Sequence, residues 1–217
     1  MYNITFLSSF HQIHGKCNPD ELYKIIGTIQ PEVIFEELCF DTFEDVYSED
    51  YIPNTIESIT IKKYLQKHPI QHFPVDTYPI NETDLLSENG AQIIWNNNNE
   101  YRKLCKQQLS KIEQCGYFFI NSNDNIEMLD KMRIIEETVL AEINNEKFLN
   151  EHKAEKRLHA NREIEMLSNI YNYSKQYPYN KAMFICGAEH RNPLKQKIQE
   201  YEAKEDLKLN WRFFNEI

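Results

Sequence analysis

Several signatures that commonly settle a protein's function are missing from this chain. Only five of its 217 residues are glycine, and none of them builds a glycine-rich phosphate loop. There is no H-E-x-x-H pair and no G-x-S-x-G nucleophile elbow. The five cysteines are odd in number and form no C-x-x-C pair. That usage fits reduced thiols in a cytosol better than a disulfide framework. No apolar run reaches the roughly 18 residues of a membrane span, so no membrane partner is expected. The N-terminus shows neither a basic stretch nor a cleavage site, so no secretory signal is expected and a cytoplasmic setting follows. Positive charge is also short: 24 Lys and Arg face 34 Asp and Glu, a net charge of -10. Binding to nucleic-acid phosphates depends on clustered Lys and Arg, and no such run lines one face here. A nucleic-acid partner is therefore not expected.

What the chain does contain is a strand-and-helix pattern. Asn3 to Phe10 is an apolar, β-favouring run. Asn18-Pro19-Asp20-Glu21 is a helix start, with a capping residue, proline in the first turn and acids near the positive end of the dipole. Leu22, Ile25, Ile26 and Ile29 then recur at helical spacing, and Pro31 stops the helix. Glu32 to Leu38 reads as a second strand, and strand-helix-strand of this length implies a parallel pair with a right-handed crossover. Asp41 to Asp50 reads as an acidic loop. A helix ending near His68-Pro69 precedes a third strand, Ile70 to Asp76, in which Pro74 favours a strand end or an edge position. A helical middle follows, with an amphipathic stripe of Ile126, Leu129, Met132, Ile135, Val139 and Ile143. A long helix covers His152 to Tyr177. The strand Lys181 to Cys186, a helix from Pro193 to Glu202 and an edge strand around Leu207 to Phe213 complete the chain. The expected fold is a single α/β domain over 1–217. It has a mainly parallel central sheet flanked by helices, and a helical insertion, about 84–177, between the third and fourth strands.

The candidate chemistry lies at strand ends. Ile4-Thr5-Phe6-Leu7 runs into Ser8-Ser9-Phe10-His11, and Ala182-Met183-Phe184-Ile185-Cys186 runs into Gly187-Ala188-Glu189-His190. Each is an apolar strand, a small residue, and a histidine three positions on. Val33-Ile34-Phe35 runs into Glu36-Glu37. Parallel strands bring such ends to one edge of a sheet. Two histidines and a carboxylate are a common ligand set for a divalent metal that keeps an open position. Glu36 and Glu37 point to opposite faces, so one of them faces the site and the other does not. An ionised glutamate in a sheet core is costly without a partner or a cation. His14 is a second histidine close to His11, Glu189 adds a charge beside His190, and Asp76 ends the third strand. Cys186, in an apolar strand, reads as a buried and inert thiol. His152 and His159 are seven apart on one helical face, as on many polar helices.

The segment Pro31-Glu32-Val33-Ile34-Phe35-Glu36-Glu37-Leu38-Cys39 resembles the P-x-V-V-x-V-E-L-C stretch of the TraB/PrgY family. That family is related to the Tiki metalloproteases and, more distantly, to the ChaN-like and erythromycin-esterase-like proteins. Its members are similar in opening with G-x-x-H, where this chain has Ser8-Ser9-Phe10-His11 with serine for glycine. They carry a second G-x-x-H, matched by Gly187-Ala188-Glu189-His190. Arg162 and Met166 look like the family's arginine and methionine four residues apart on a helix. The resemblance implies a metal-dependent hydrolase acting on an amide or ester bond of a peptide or small molecule. His11, Glu37 and His190 would hold the metal, with Glu37, Arg162 or Glu36 in catalytic roles. Arg162 would stabilise an oxyanion or hold Glu37 by a bidentate pair, unless it is a surface arginine of an amphipathic helix. Histidine with carboxylate suits Zn, Mn, Fe or Co. The alternative is a non-catalytic module that holds a peptide, haem or small ligand in the same cleft.

Overall fold

Asn18 closes the loop after the first strand by accepting backbone N–H bonds from Asp20 and Glu21 at 3.1 and 3.0 Å. It thereby starts the first of a series of helices that alternate with apolar strands. The computed structural model describes residues 2–77 and 87–215. In chain order the elements are β1 (Tyr2–Ser9), α1 (Pro19–Ile29), β2 (Val33–Cys39), α2 (Phe40–Tyr47), α3 (Ile56–Leu65) and β3 (Gln71–Asp76). They continue with α4 (Glu88–Asn97), α5 (Asn99–Cys115), α6 (Tyr117–Ile120), α7 (Asn123–Ile143) and α8 (Glu146–Gln176). β4 (Lys181–Gly187), a 3-10 turn (Ala188–His190), α9 (Arg191–Lys204) and β5 (Leu209–Phe213) follow. The helical insertion thus lies between β3 and β4; the first of its expected residues, 84–86, are outside the described residues.

The five strands run parallel in the order β3-β2-β4-β1-β5. Both faces are covered, and strands buried on both faces read as near-continuous apolar runs. On one face Ile4, Phe6, Phe35 and Phe184 pack under Leu167 and Ile170 of α8 and Leu194 of α9. On the other, Leu7, Ile34, Met183 and Ile185 pack under Leu22 and Ile26 of α1, Ile61 of α3 and Ile120 of α6. Each such buried side chain contributes about 1.5–3 kcal/mol relative to exposure. β3, with Pro74, lies at one edge and β5 at the other.

The structure departs from the sequence expectation in three places. β1 and β2 are parallel but not hydrogen-bonded to each other, because β4 lies between them. Residues 41–50 are not a loop throughout: α2 occupies Phe40–Tyr47. Its aromatic side chains hold it against the edge strand, with Phe40 on Phe73, and Phe43 and Tyr47 on His72. Tertiary aromatic contacts here outweigh an acidic local sequence. In α7 the expected stripe holds at Met132 and Val139, which are buried, and at Leu129 and Ile135, which pack at the core's edge, but Met128 and Leu140 join it and Ile143 is exposed.

The insertion of β4 creates the place for a site. β1 leaves through α1 on one face toward β2, whereas β4 leaves through α9 on the opposite face toward β5. Connections from neighbouring strands therefore diverge, and a crevice opens at their C-terminal ends.

Candidate functional site

The register carries Ser9 of β1 opposite Gly187 of β4, and Glu36 of β2 opposite Ile185 of β4. The chain just beyond these positions delivers His11, His190 and Glu37 to one place. Nε2 of His11 lies 3.7 Å from Oε2 of Glu37. Nε2 of His190 lies 3.5 Å from Oε1 of the same carboxylate. The two imidazoles thus address different oxygens of Glu37.

Each imidazole is aimed by a second carboxylate on its other nitrogen. Nδ1 of His190 is 2.8 Å from Oε1 of Glu163, whose other oxygen accepts from Lys197 at 2.6 Å. Nδ1 of His11 is 3.2 Å from Oε1 of Glu57, to which Ser9 also donates. Glu37 itself accepts from Arg162 Nη2 at 2.6 Å and from the Gly187 N–H at 2.5 Å. Arg162 is only 3% exposed and forks onto Asp76, with Nε–Oδ1 at 3.2 Å and Nη2–Oδ2 at 2.7 Å. It is a buried clamp between two carboxylates, not a surface arginine. Gly187 is required for space: a Cβ there would stand 2.8 Å from His11 Nε2 and 3.3 Å from Glu37 Oε2.

The electrostatics follow from these contacts. Burial works against an ionised Glu37, but His190, His11 and Arg162 hold its carboxyl well below the usual range. Burial likewise opposes a charged His190, yet Glu163 and Glu37 raise its pKa to about 9. His11 is also opposed by burial and raised to about 9, chiefly by Glu57 and then by Glu37. His159 behaves in the opposite way. Burial and the neighbouring His190 lower its pKa, and its ring meets that of His190 edge-on with centroids 5.1 Å apart.

The other sequence candidates surround this cluster without joining its three-way contact. Glu36 lines a small cavity with His11, Glu37 and Glu57, but its hydrogen bonds go to other partners. Tyr47 donates to one of its oxygens and His72 Nδ1 lies 2.8 Å from the other, so it ties α2 and β3 to β2. The β2–β3 pairing shifts register between Glu36 and Cys39. His14 forms a backbone bridge with Cys17, and its ring lies beside Phe10. Asp76 reaches the site through Arg162. Glu189 is exposed on the rim of a cleft of about 370 Å³ that opens onto His11 and His190. Glu57, Glu163 and Lys197 were not anticipated, nor was His159 at this cleft. An acid in the first turn of a helix, and charges on amphipathic helices, are ordinary surface features until the fold turns them inward.

The donor set was tested against a divalent ion. A tetrahedral site with metal–ligand distances near 2.1 Å has ligand–ligand edges of about 3.4 Å. The 3.5 Å from His190 Nε2 to Glu37 Oε1 is close to that edge, while His11 Nε2 stands 3.7 Å from the other oxygen. Histidines that ligate metals usually give their other ring nitrogen to a carboxylate, as both do here. Charge also balances. Among the described residues, Glu37, Glu57, Asp76 and Glu163 pair with two fixed cations, Arg162 and Lys197, leaving two negative charges. Two imidazolium protons cancel them, and so does one divalent cation. The tightest group of ligand atoms among the described residues, all within 4.8 Å of one another, is Glu37, Cys186 and His190. His11 stands outside that group, so the expected His11, Glu37 and His190 set would need its ring to swing inward. Cys186 is a weak substitute, because burial pushes its thiol well above the usual range and keeps it protonated. Comparison of the chain with protein-family models, with curated proteins and with solved structures returned no match.

Proposed function

We propose that this protein is a metal-dependent hydrolase of the TraB/Tiki type, acting on an amide or ester bond. The observation that carries it is the opposed pair of imidazoles. Each has Nδ1 fixed by a carboxylate and Nε2 turned to Glu37. His190 and Glu37 would hold the ion in the rigid half of the site, and His11 would close it from the loop. Bound there, a divalent ion would polarise a carbonyl and lower the pKa of its water to about 7. Zn, Mn, Fe or Co would suit these donors. Arg162 orients the Glu37 carboxylate and keeps it ionised. His159, neutral and lining the cleft, is placed to accept and return a proton. Five free cysteines and the reduced setting they imply belong to the same proposal, in a cytoplasmic protein.

The test begins with elemental analysis of the purified protein and a calorimetric metal titration at pH 7. Binding of one divalent ion per chain with release of two protons is expected, since both imidazoles are protonated there. A panel of simple peptides and esters follows. The triple variant His11→Ala, Glu37→Ala, His190→Ala should lose all turnover while keeping its helical circular dichroism; continued turnover would end the proposal.

One observation favours a second reading, a non-catalytic module for a peptide, haem or small ligand. Both Glu37 oxygens are already hydrogen-bonded, and the cluster is neutral with protons alone. Unchanged ligand affinity in metal-free protein would select it.

A further inference from the structure

We propose that the cleft selects a small cationic substrate: an amide or ester bearing a guanidinium or ammonium group on an apolar stem. The proposal rests on this cleft being the substrate entrance of the hydrolase site. It deepens that reading by naming the substrate class.

The cleft has three distinct parts. His11, His190 and Gly187 form the floor, and Phe10, Leu129 and Ala188 form an apolar wall. The carboxylates are Glu155 of α8 and Glu189 of the 3-10 turn, and among the described residues lining the cleft there is no Lys or Arg. The floor is balanced, as counted above, so the rim sets the sign of the field. A third acid close by feels that field, which disfavours its charge. Glu136 of α7 is held by the Tyr101 hydroxyl at 2.8 Å. Burial raises its pKa first, and the charges of Glu189 and Glu155 raise it further. Three acids from three separate elements therefore share one neighbourhood. Like charges gathered at the mouth of a low-dielectric cleft focus the field and concentrate a ligand of opposite sign. The volume of about 370 Å³ is at the small end for ligand pockets and suits one amino-acid derivative better than a folded partner. The wall provides apolar contact for the methylene stem of an arginine or lysine side chain, which buries its stem and keeps its head near polar groups.

The experiment uses the full chain and two probes of similar length, Nα-acetyl-argininamide and Nα-acetyl-norleucinamide. Their affinities are measured by calorimetry at low and high salt, and cleavage is followed separately by chromatography. The argininamide should bind about tenfold more tightly at low salt, with the margin shrinking as salt screens the rim. The double variant Glu155→Gln, Glu189→Gln should reduce the margin to less than about threefold while norleucinamide binding stays constant. Equal binding of the two probes, no binding of either, or a margin that survives the double variant would overturn the proposal. A margin seen without cleavage of either amide would count against the hydrolase and uphold the cationic cleft. Cleavage without a margin would do the reverse.

Discussion

The two histidines that meet at Glu37 arrive by opposite routes. His190 is 6% exposed at the side chain and sits in a 3-10 turn locked between β4 and α9. Its partner Glu163 comes from the long helix α8 and is itself held by Lys197. His11 is 43% exposed and stands on a loop with φ of +62°, in the left-handed region that side chains rarely adopt. Its ring lies over Gly187, and its partner Glu57 comes from the first turn of α3. The same imidazole–carboxylate pairing is thus built once as scaffold and once as a movable arm. A site that must admit a ligand and then enclose it gains from having one half rigid and the other adjustable.

Stability should separate the halves most strongly. His190→Ala removes one buried partner each from Glu163, which keeps Lys197, and from Glu37, which keeps Arg162, so the cost should be roughly 2–3 kcal/mol, below that of a fully orphaned buried charge. His11→Ala removes a partly exposed pair, which is worth about 1 kcal/mol or less. Urea unfolding of both variants measures the difference. Equal losses would erase the distinction between scaffold and arm.

The pH profile gives an effect of similar size. The pKa of His190 is 6.5 in the unfolded chain and about 9 when folded, so folding binds its proton more tightly. The resulting stability is fully present below pH 6.5 and is lost as pH rises through 9. A shift of this size corresponds to on the order of 3 kcal/mol. Metal-free protein should therefore become less stable between pH 6.5 and 9.5 in urea titrations. The slope should fall in both variants, since both imidazoles are raised to about 9, and more in His190→Ala because His11 is partly exposed and screened. A profile that is flat in the unmodified protein would mean that His190 is not charged in the fold.

Gly187→Ala probes the contact between the halves. Its Cβ would meet the tip of the His11 ring at 2.8 Å, so that ring, 43% exposed, would have to shift. The cost should be about 1 kcal/mol, at the low end for overpacking. It should shrink in the double variant with His11→Ala, leaving only the 3.3 Å contact with Glu37 Oε2, a coupling that a double-mutant cycle reads directly.

Much of this arrangement could be read from residues alone, and the part that could not has a common cause. Apolar strands ending in a small residue and then His11 or His190 announced themselves by local pattern, as did Glu37 after Phe35. Strand-helix alternation pointed to the parallel sheet. The pattern at Lys181 to Cys186 identifies a strand but not its neighbours, so the entry of β4 between β1 and β2 was out of reach. Alternation placed Glu36 and Glu37 on opposite faces without saying which face held the site. That choice is made by Tyr47 and His72 on one side and Arg162 on the other. Glu57 and Glu163 are the clearest misses. Each looks like a solvated helix residue, and only pairing across 46 or 27 positions with His11 or His190 gives it a role.

The smallest effect concerns the backbone under His11. A left-handed conformation costs a side-chain-bearing residue roughly 1 kcal/mol, and glycine avoids that cost. Both His11→Ala and His11→Gly lose the pairing with Glu57 and Glu37, so their difference isolates the backbone. Alanine gains about 0.4–1 kcal/mol through a less flexible unfolded chain, but incompatible φ outweighs that gain. His11→Gly should therefore be the more stable of the two by about 0.5 kcal/mol or more, read as a shift in the urea midpoint at unchanged slope. Strain of this kind persists only where surrounding contacts impose it. Here they are the Ser9 hydroxyl, which accepts from the His11 N–H at 3.3 Å, and the Ile56 N–H, which donates to the His11 carbonyl at 3.1 Å. Should alanine prove as stable as glycine, the loop relaxes without its imidazole. The left-handed turn would then be a consequence of the His11–Glu57 pairing and not the frame that holds it.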